Sequence, residues 1–386
     1  MAKLVLHIGT KKTGTTSLQH YLKANSERLA ETGWMYPDFI ANPNHLVLAL
    51  PFQQADSIAH VARSIHGPAG RDRSAASWAA KFRERLQPDQ RWVITSEFFS
   101  TRLQTPHEVQ DAVDYFRTLF DDITVVVFFR RQEFLLPSVY SQTAKDGDRT
   151  EWGWKFCEDR LSQFDYFAMY ERWASAVGEQ NVRAIPYMES FKHEPQRTLE
   201  QFSAASGIKF GADWVVPRES SSNKSLSGEG IAFLNVVNPY IPQVKTDNTS
   251  NHHQRRSVVR RAAELTEGPG FRPEAEIIDR LRQHYQASNE QLVAKLPKTG
   301  EWSSWLEQRP KLNKSGSNNL VVTPERVAEL MVSLAAPNGP VDWGQPDSKP
   351  LRLRQLAEQR LASRRYGRVL LRVGRSSSQQ SKGSQG

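Results

Sequence analysis

Leu4-Val-Leu-His-Ile-Gly-Thr-Lys-Lys-Thr-Gly-Thr-Thr-Ser-Leu-Gln-His-Tyr-Leu22 runs from a short apolar segment through a compact loop into a stretch of helical periodicity. Leu4, Val5, Leu6 and Ile8 make the kind of run that a parallel strand shows when both its faces are covered. Gly9 and Gly14 permit a tight backbone after it. From Ser17 onward Leu18, Tyr21, Leu22 and Leu29 return at roughly helical spacing, so the loop is expected to end at a helix N-terminus. Unpaired N–H groups at such a terminus, together with the helix dipole, favour a bound phosphate. Thr13, Thr15 and Thr16 add hydroxyl donors, and Lys11 and Lys12 add positive charge. The plain alternative is an ordinary strand-to-helix turn, against which the two lysines and three threonines in and beside the loop weigh heavily.

The position of the lysines narrows the ligand. A nucleotide-hydrolysing loop of the form G-x-x-x-x-G-K-[ST] places its lysine directly after the second glycine, and the next hydroxyl holds magnesium. Here the glycine spacing is kept, but Thr15 stands at the lysine position and Lys11 and Lys12 fall inside the loop. The cradle is retained while the magnesium-nucleotide signature is lost. A second apolar run, Ile123-Thr-Val-Val-Val-Phe-Phe129, reads as a central parallel strand and ends at Arg130-Arg131. Magnesium-dependent kinases and hydrolases usually place an aspartate at the end of such a run, and none stands here.

Lys12-Thr13-Gly14-Thr15-Thr16 with Ser17-Leu18 following resembles the sulfotransferase family, in particular its bacterial members. The resemblance implies that the loop, from Lys11 to Ser17, binds the 5′-phosphosulfate of 3′-phosphoadenosine 5′-phosphosulfate. It also implies that the arginine after the second strand, Arg130, and Ser138, eight residues beyond it, bind the 3′-phosphate. An arginine's planar fork suits that role; an Arg130 paired with a neighbouring carboxylate is the competing reading. Pro137 directly precedes Ser138 and would bend a helix or lie in its first turn. Asn223-Lys224-Ser225 resembles a loop that closes over the nucleotide in bacterial members, although Ser225 or Ser227 could equally cap the helix that follows.

Sulfuryl transfer needs a base for the acceptor's proton. Trp92-Val-Ile-Thr-Ser96 reads as a further strand, and Glu97 at its end faces the crevice where parallel sheets bind ligands, which makes it the leading general base. His45 is the second candidate, and a Glu97 that caps a helix or pairs with an arginine is the plain reading. His7, within the first strand, reads as a packed residue. In this scheme Lys12 and the loop N–H groups stabilise charge on the leaving oxygen, and no metal is called for.

The remaining chain completes the layout. Val182-Arg-Ala-Ile-Pro-Tyr187 is a fourth strand, a helix follows near Gln196 to Ser206, and Asn248 to Leu296 is mainly helical. Its basic run, Arg255-Arg256 and Arg260-Arg261, reads as an exposed helix face, with an acidic acceptor as the sharper alternative. Strands alternating with helices define an α/β fold, a parallel sheet flanked by helices like that of P-loop proteins, with a helical C-terminal extension. The expected division is 1–300 for the domain carrying these motifs, 301–350 for an extension and linker, and 351–386 for a basic tail that ends in a Ser/Gln/Gly segment.

Charge supports that division. The net charge is +9, yet from Asp347 to the end there are ten Lys or Arg against two acidic residues, so the rest of the chain is nearly balanced. Nucleic acid is therefore not the expected partner; the tail could meet an anionic membrane surface or an acidic partner, or none. The single cysteine, Cys157, excludes an internal disulfide and a cysteine-based zinc site and reads as packed. No apolar signal segment and no run of about 18 apolar residues is present, so a cytoplasmic enzyme is expected. Its acceptor is a glycan, lipid or small molecule with a hydroxyl or amine. A P-loop nucleotide-dependent kinase and a non-catalytic nucleotide-binding protein that acts through the tail are the rival readings.

Overall fold

The computed structural model describes residues 2–40, 44–53, 77, 80–87, 89–147, 151–217, 226–240, 252–312 and 318–335. Asn223, Lys224 and Ser225, the linker from 336 to 350 and the basic tail lie outside the described residues.

Five strands form one sheet: β1 Lys3–His7, β2 Trp34–Met35, β3 Arg91–Thr95, β4 Asp122–Arg130 and β5 Val182–Tyr187. Their order is β2-β3-β1-β4-β5, and every pairing is parallel. The four strands read from the apolar runs are all present; the two-residue β2 was too short to show a periodicity. Pro186 sits in β5, an edge strand whose free side has no ladder bond to lose.

Among the described residues, the helices of eight residues or more are α1 Thr15–Ala24, α2 Pro106–Arg117, α3 Gln132–Asp146, α4 Tyr166–Val177, α5 Pro195–Ser206, α6 Gly228–Val237, α7 His252–Leu265, α8 Ala275–Lys295, α9 Gly300–Glu307 and α10 Pro324–Ala335. Their ends follow local chemistry. At α2 the Thr105 hydroxyl accepts from the Glu108 amide and the Glu108 carboxylate accepts from the Thr105 amide, with Pro106 in the first turn. Asp165 caps α4, and α5 begins at Pro195 and stops at Gly207 in the left-handed region. None of the described helices is long and apolar enough to cross a membrane.

Successive residues of β4 serve opposite faces of the sheet, as the two-residue period requires. Val126 and Phe128 pack with Val5, Leu18, Leu22, Ile185 and Phe202, bringing α1 and α5 onto one face. Phe129 meets the Tyr166 ring of α4, with centroids 4.6 Å apart. Side chains such as Leu22, Val93 and Phe202 have no exposed surface, and each contributes about 1.5–3 kcal/mol by leaving water. The buried Cys157 and His7 are core residues, as expected.

The chain divides into two compact units, each assembled from separate stretches of the sequence. The first comprises Met1–Val139, Trp154–Glu219 and Glu276–Pro310, so it contains the whole sheet together with α9. The second comprises Tyr140–Gly153, Ser220–Ala275 and the described residues from Lys311 onward. In it Ser227 caps α6, accepting from the Gly230 amide at 3.0 Å. Tyr140, Trp152 and Phe271 form an aromatic cluster there. Arg255 corrects one expectation: it is buried, not part of an exposed face, and donates to the carbonyls of Ala144 and Lys145 and to Asn238. Three acceptors offset the cost of burying its charge, although burial still pushes its pKa down to about 10.

Candidate functional site

The chain runs from β1 out to β2 and β3 on one side of the sheet and then to β4 and β5 on the other, so the order reverses at β1. Ligands of open parallel sheets bind at the carboxyl ends of the strands at such a reversal, and that is where residues 8–14 lie.

The loop is built on three left-handed residues, Gly9, Lys12 and Gly14, with φ of 67°, 65° and 78°. Its hydroxyls largely hold the loop itself. Thr13 and Thr15 both donate to the Thr10 carbonyl, at 2.7 and 3.2 Å, and Thr10 donates to the Phe128 carbonyl of β4 at 2.9 Å. Thr13 and Thr15, read from the sequence as donors to a ligand, are thus buried loop-closing residues. Thr16 and Ser17 stand exposed in the first turn of α1, which begins at Thr15 as an extension of the run expected from Ser17. Gly14 is the N-cap and supplies no capping side chain, leaving the first-turn amides with the polarity that attracts an anion. Lys12 is exposed and Lys11 half-buried.

On the β3 side, the backbone at Glu97 presses against Gly9. A Cβ on Gly9 would lie 2.8 Å from the Glu97 Cα, a distance that only glycine avoids. Glu97 stands at the N-cap of a short helix, Phe98–Arg102, but its carboxylate does not cap that helix; one oxygen accepts from Gln19 of α1 at 3.0 Å. His45 is placed differently. It is fully buried, with φ of 47°, its Nδ1 accepts from the Thr95 amide at 3.3 Å, and its ring packs on Tyr36. Burial, aided by the Lys23 charge, holds its pKa down to about 3, so it is neutral. His7 is neutral for the same reason of burial, at about 3, and its Nδ1 meets the Thr95 hydroxyl at 2.7 Å. The half-buried Glu97 is therefore the better placed of the two candidate bases.

On the β4 side, Arg130 is buried to 2% exposure and closes onto a carboxylate. Its Nε and one terminal nitrogen donate to Glu189 at 2.5 and 3.0 Å, and the other terminal nitrogen donates to the Lys12 carbonyl at 3.1 Å. The Tyr166 hydroxyl donates to the Arg130 carbonyl, fixing the backbone as well. Lys192 forms an ion pair with Glu189. Burial acts to raise the Glu189 pKa, but the charge and hydrogen bonds of Arg130 outweigh it, and the carboxyl lies below its ordinary range. Lys192 is held down by burial first and then by the Arg130 charge. Pro137 lies inside α3, and the helix continues through it. Ser138 is half-buried, about 9 Å along the axis from the start of that helix at 1.5 Å per residue. No described hydrogen bond joins it to Arg130 or to the loop.

Sequence reading missed Gln19, Glu189, Lys192 and Thr198, the last approaching within 3.4 Å of where a Gly14 Cβ would stand. Glu189 could have been found by the rule that singled out Glu97, since it closely follows the C-terminal end of a parallel strand. Gln19 carries no such signal. Among the described residues no group of three or more His, Cys, Asp or Glu could hold a metal ion.

Fold and site together define an α/β protein whose strand–loop–helix unit has the geometry of an oxyanion cradle. No family model matches the chain, and no curated protein matches it. Among solved structures it is similar to a sulfotransferase from Alicyclobacillus acidocaldarius, at 14% identity and a TM-score of 0.45, over 78% of this chain and 98% of that one. It is also similar to the sulfotransferase domain of the Synechococcus PCC 7002 olefin synthase, at 12% identity and a TM-score of 0.31, over 54% of this chain and 74% of that one. These are distant likenesses.

Proposed function

We propose that this chain is a sulfotransferase that moves a sulfuryl group from 3′-phosphoadenosine 5′-phosphosulfate to a hydroxyl or amine. The observation that carries the reading is the hydrogen bond from Arg130 to the Lys12 carbonyl, 3.1 Å. It joins two motifs 118 residues apart in the sequence, the cradle without a magnesium signature and the arginine-ended strand. A donor with phosphates at both its 5′ and 3′ positions needs two such anion sites side by side, whereas a simple P-loop nucleotide needs one.

Each residue then has a task. Lys12 and the first-turn amides of α1 face the 5′-phosphosulfate and stabilise the negative charge that grows on the bridging oxygen as the S–O bond breaks. Arg130, with Lys192 beside it, meets the 3′-phosphate in competition with Glu189, and Ser138 adds a hydroxyl. Glu97, its carboxylate steadied by Gln19, takes the acceptor's proton as the acceptor oxygen or nitrogen approaches sulfur in line. The acceptor class stays open among glycans, lipids and small molecules, and the basic tail is the natural candidate for contact with an anionic surface.

Titration calorimetry of adenosine 3′,5′-bisphosphate against magnesium ATP tests the donor. The bisphosphate should bind more tightly, and a preference for magnesium ATP would return the chain to the kinases. A screen of acceptors with labelled sulfate donor then separates an enzyme from a binding protein. Lys12→Ala should still bind the bisphosphate while transfer falls by about 100-fold or more, the scale for losing one preorganised donor.

A further inference from the structure

Beyond the cradle, the first unit holds a second concentration of positive charge. A pocket of about 220 Å³ is lined by Arg131, Arg282, Gln286, Asn289, Arg309 and neighbours. Residues 282, 286 and 289 recur at helical spacing on one face of α8. Arg131 follows β4 directly, and Arg309 follows α9.

Three guanidinium groups converge there, and the carboxylate that touches them, Glu133, is shared between two. Arg131, 4% exposed, is held bidentately by the buried Glu133, at 3.2 and 2.7 Å, and donates to the Leu306 carbonyl. Arg282 approaches the same carboxylate at 3.8 Å, so one buried Glu133 serves two arginines. Arg309 donates to the carbonyls of Leu306, Glu307 and Gln308, the C-terminal end of α9, and no described carboxylate is its ion-pair partner. Glu290 is the acidic residue on the lining, and its carboxylate accepts from Gln286. Burial is the main influence that lowers the Arg282 pKa; Glu133 and, more weakly, Asp279 oppose it, and repulsion from Arg309 and Arg131 adds to it. Crowded like charges of this kind are relieved by an anion.

We infer that this pocket is a second oxyanion site, distinct from the cradle, in which Arg282 and Arg309 grip a phosphate or sulfate group against the base formed by Arg131. Planar forks match the oxygens of such groups in pairs. The space exceeds that of one tetrahedral ion, so the group can be free or carried on a larger molecule. The site does not depend on the reading of the cradle, because none of its lining residues belongs to the loop.

The test titrates inorganic phosphate and methyl phosphate into the full-length chain at constant ionic strength, following heat and melting temperature. Wild type, Arg309→Gln and Arg282→Gln are compared. A saturable phase present in wild type should weaken about tenfold in each arginine variant, the scale of one charge-assisted hydrogen bond. Methyl phosphate binding as well as phosphate would show that the site takes an esterified group; phosphate alone would show a free ion. Arg309 is exposed, so Arg309→Gln should fold even where Arg282→Gln does not. Unchanged affinity in a folded Arg309→Gln, or no saturable binding in wild type, overturns the inference.

Discussion

Arg130 and Arg131 are neighbours in the chain, and each is gripped bidentately by one glutamate, yet the two pairs sit in different surroundings. Arg131 and Glu133 are both buried, with side chains 5% and 1% exposed, and are enclosed by α8 and α9. Arg130 is as deeply buried, but its partner Glu189 keeps a side chain 21% exposed, and the fork also reaches the loop backbone. The first pair is structural foundation on which other cations rest. The second is a latch with one end at the surface, where, on the proposed function, an incoming anion would take the place of the carboxylate. What distinguishes them is the freedom of the glutamate to leave, since the arginines themselves are equally fixed.

The sharpest way to break this comparison is to neutralise each glutamate. Glu133→Gln strands Arg131 and removes the shared partner of Arg282, so unfolding free energy in urea should fall by about 3–5 kcal/mol, the cost of orphaning a buried charge. A loss below about 1 kcal/mol would mean that Glu133 is no foundation. Glu189→Gln should cost less, about 1–2 kcal/mol, since Arg130 keeps the Lys12 carbonyl and an amide oxygen can still accept. The same variant should bind adenosine 3′,5′-bisphosphate about fivefold more tightly, because the competing charge is gone; calorimetry that finds weaker binding would show Glu189 to be part of the ligand site.

A pH series sharpens the same contrast. The carboxyl of Glu189 lies below its unfolded value near 4.3. Its contribution is fully present above that value and is lost as pH falls through the lower folded one. The stability gap between wild type and Glu189→Gln should therefore close as pH drops below about 4.3. His7 and His45 act in both proteins alike. Each is held neutral, with a folded pKa of about 3 against an unfolded value near 6.5, so their contribution is present above 6.5 and declines as pH falls toward 3. Chemical denaturation at each pH measures the difference, and a gap that widens in acid would contradict the latch.

The smallest expected effect concerns the loop end of the latch. Lys12 adopts φ of 65°, where a side chain is strained. Lys12→Gly should keep the carbonyl that Arg130 binds and gain up to about 1 kcal/mol of stability. Lowered stability would indicate that the lysine side chain, more than the backbone, anchors the fork.

Much of this arrangement was legible in the chain. Buried parallel strands announce themselves as apolar runs, so β1, β3, β4 and β5 and the residues at their ends could be placed, with Arg130 and Glu97 among them. The loop's glycines and lysines were legible for the same local reason. Pairings across the sheet were not: nothing in Glu189 or Glu133 marks which arginine each will hold, and the distance from Gln19 to Glu97 is set by the packing of α1. Thr13 and Thr15 illustrate the limit well. Their type suggested ligand donors, but only the three-dimensional path of the loop shows their protons directed to Thr10. Arg255 went the same way, a basic residue in a basic run that folding turned inward.

The contact between Gly9 and the Glu97 backbone has a consequence for how such a protein can diversify. The cradle that would hold the donor and the strand end that would meet the acceptor touch at a point with no spare room, so neither can be exchanged as a separate module. A transplanted acceptor loop that shifts residue 97 by even a side-chain width would disturb the cradle, and any residue but glycine at position 9 would push the two apart. On the proposed function, new acceptors would be accommodated by changes farther from that junction, in segments that leave the meeting of β1 and β3 untouched.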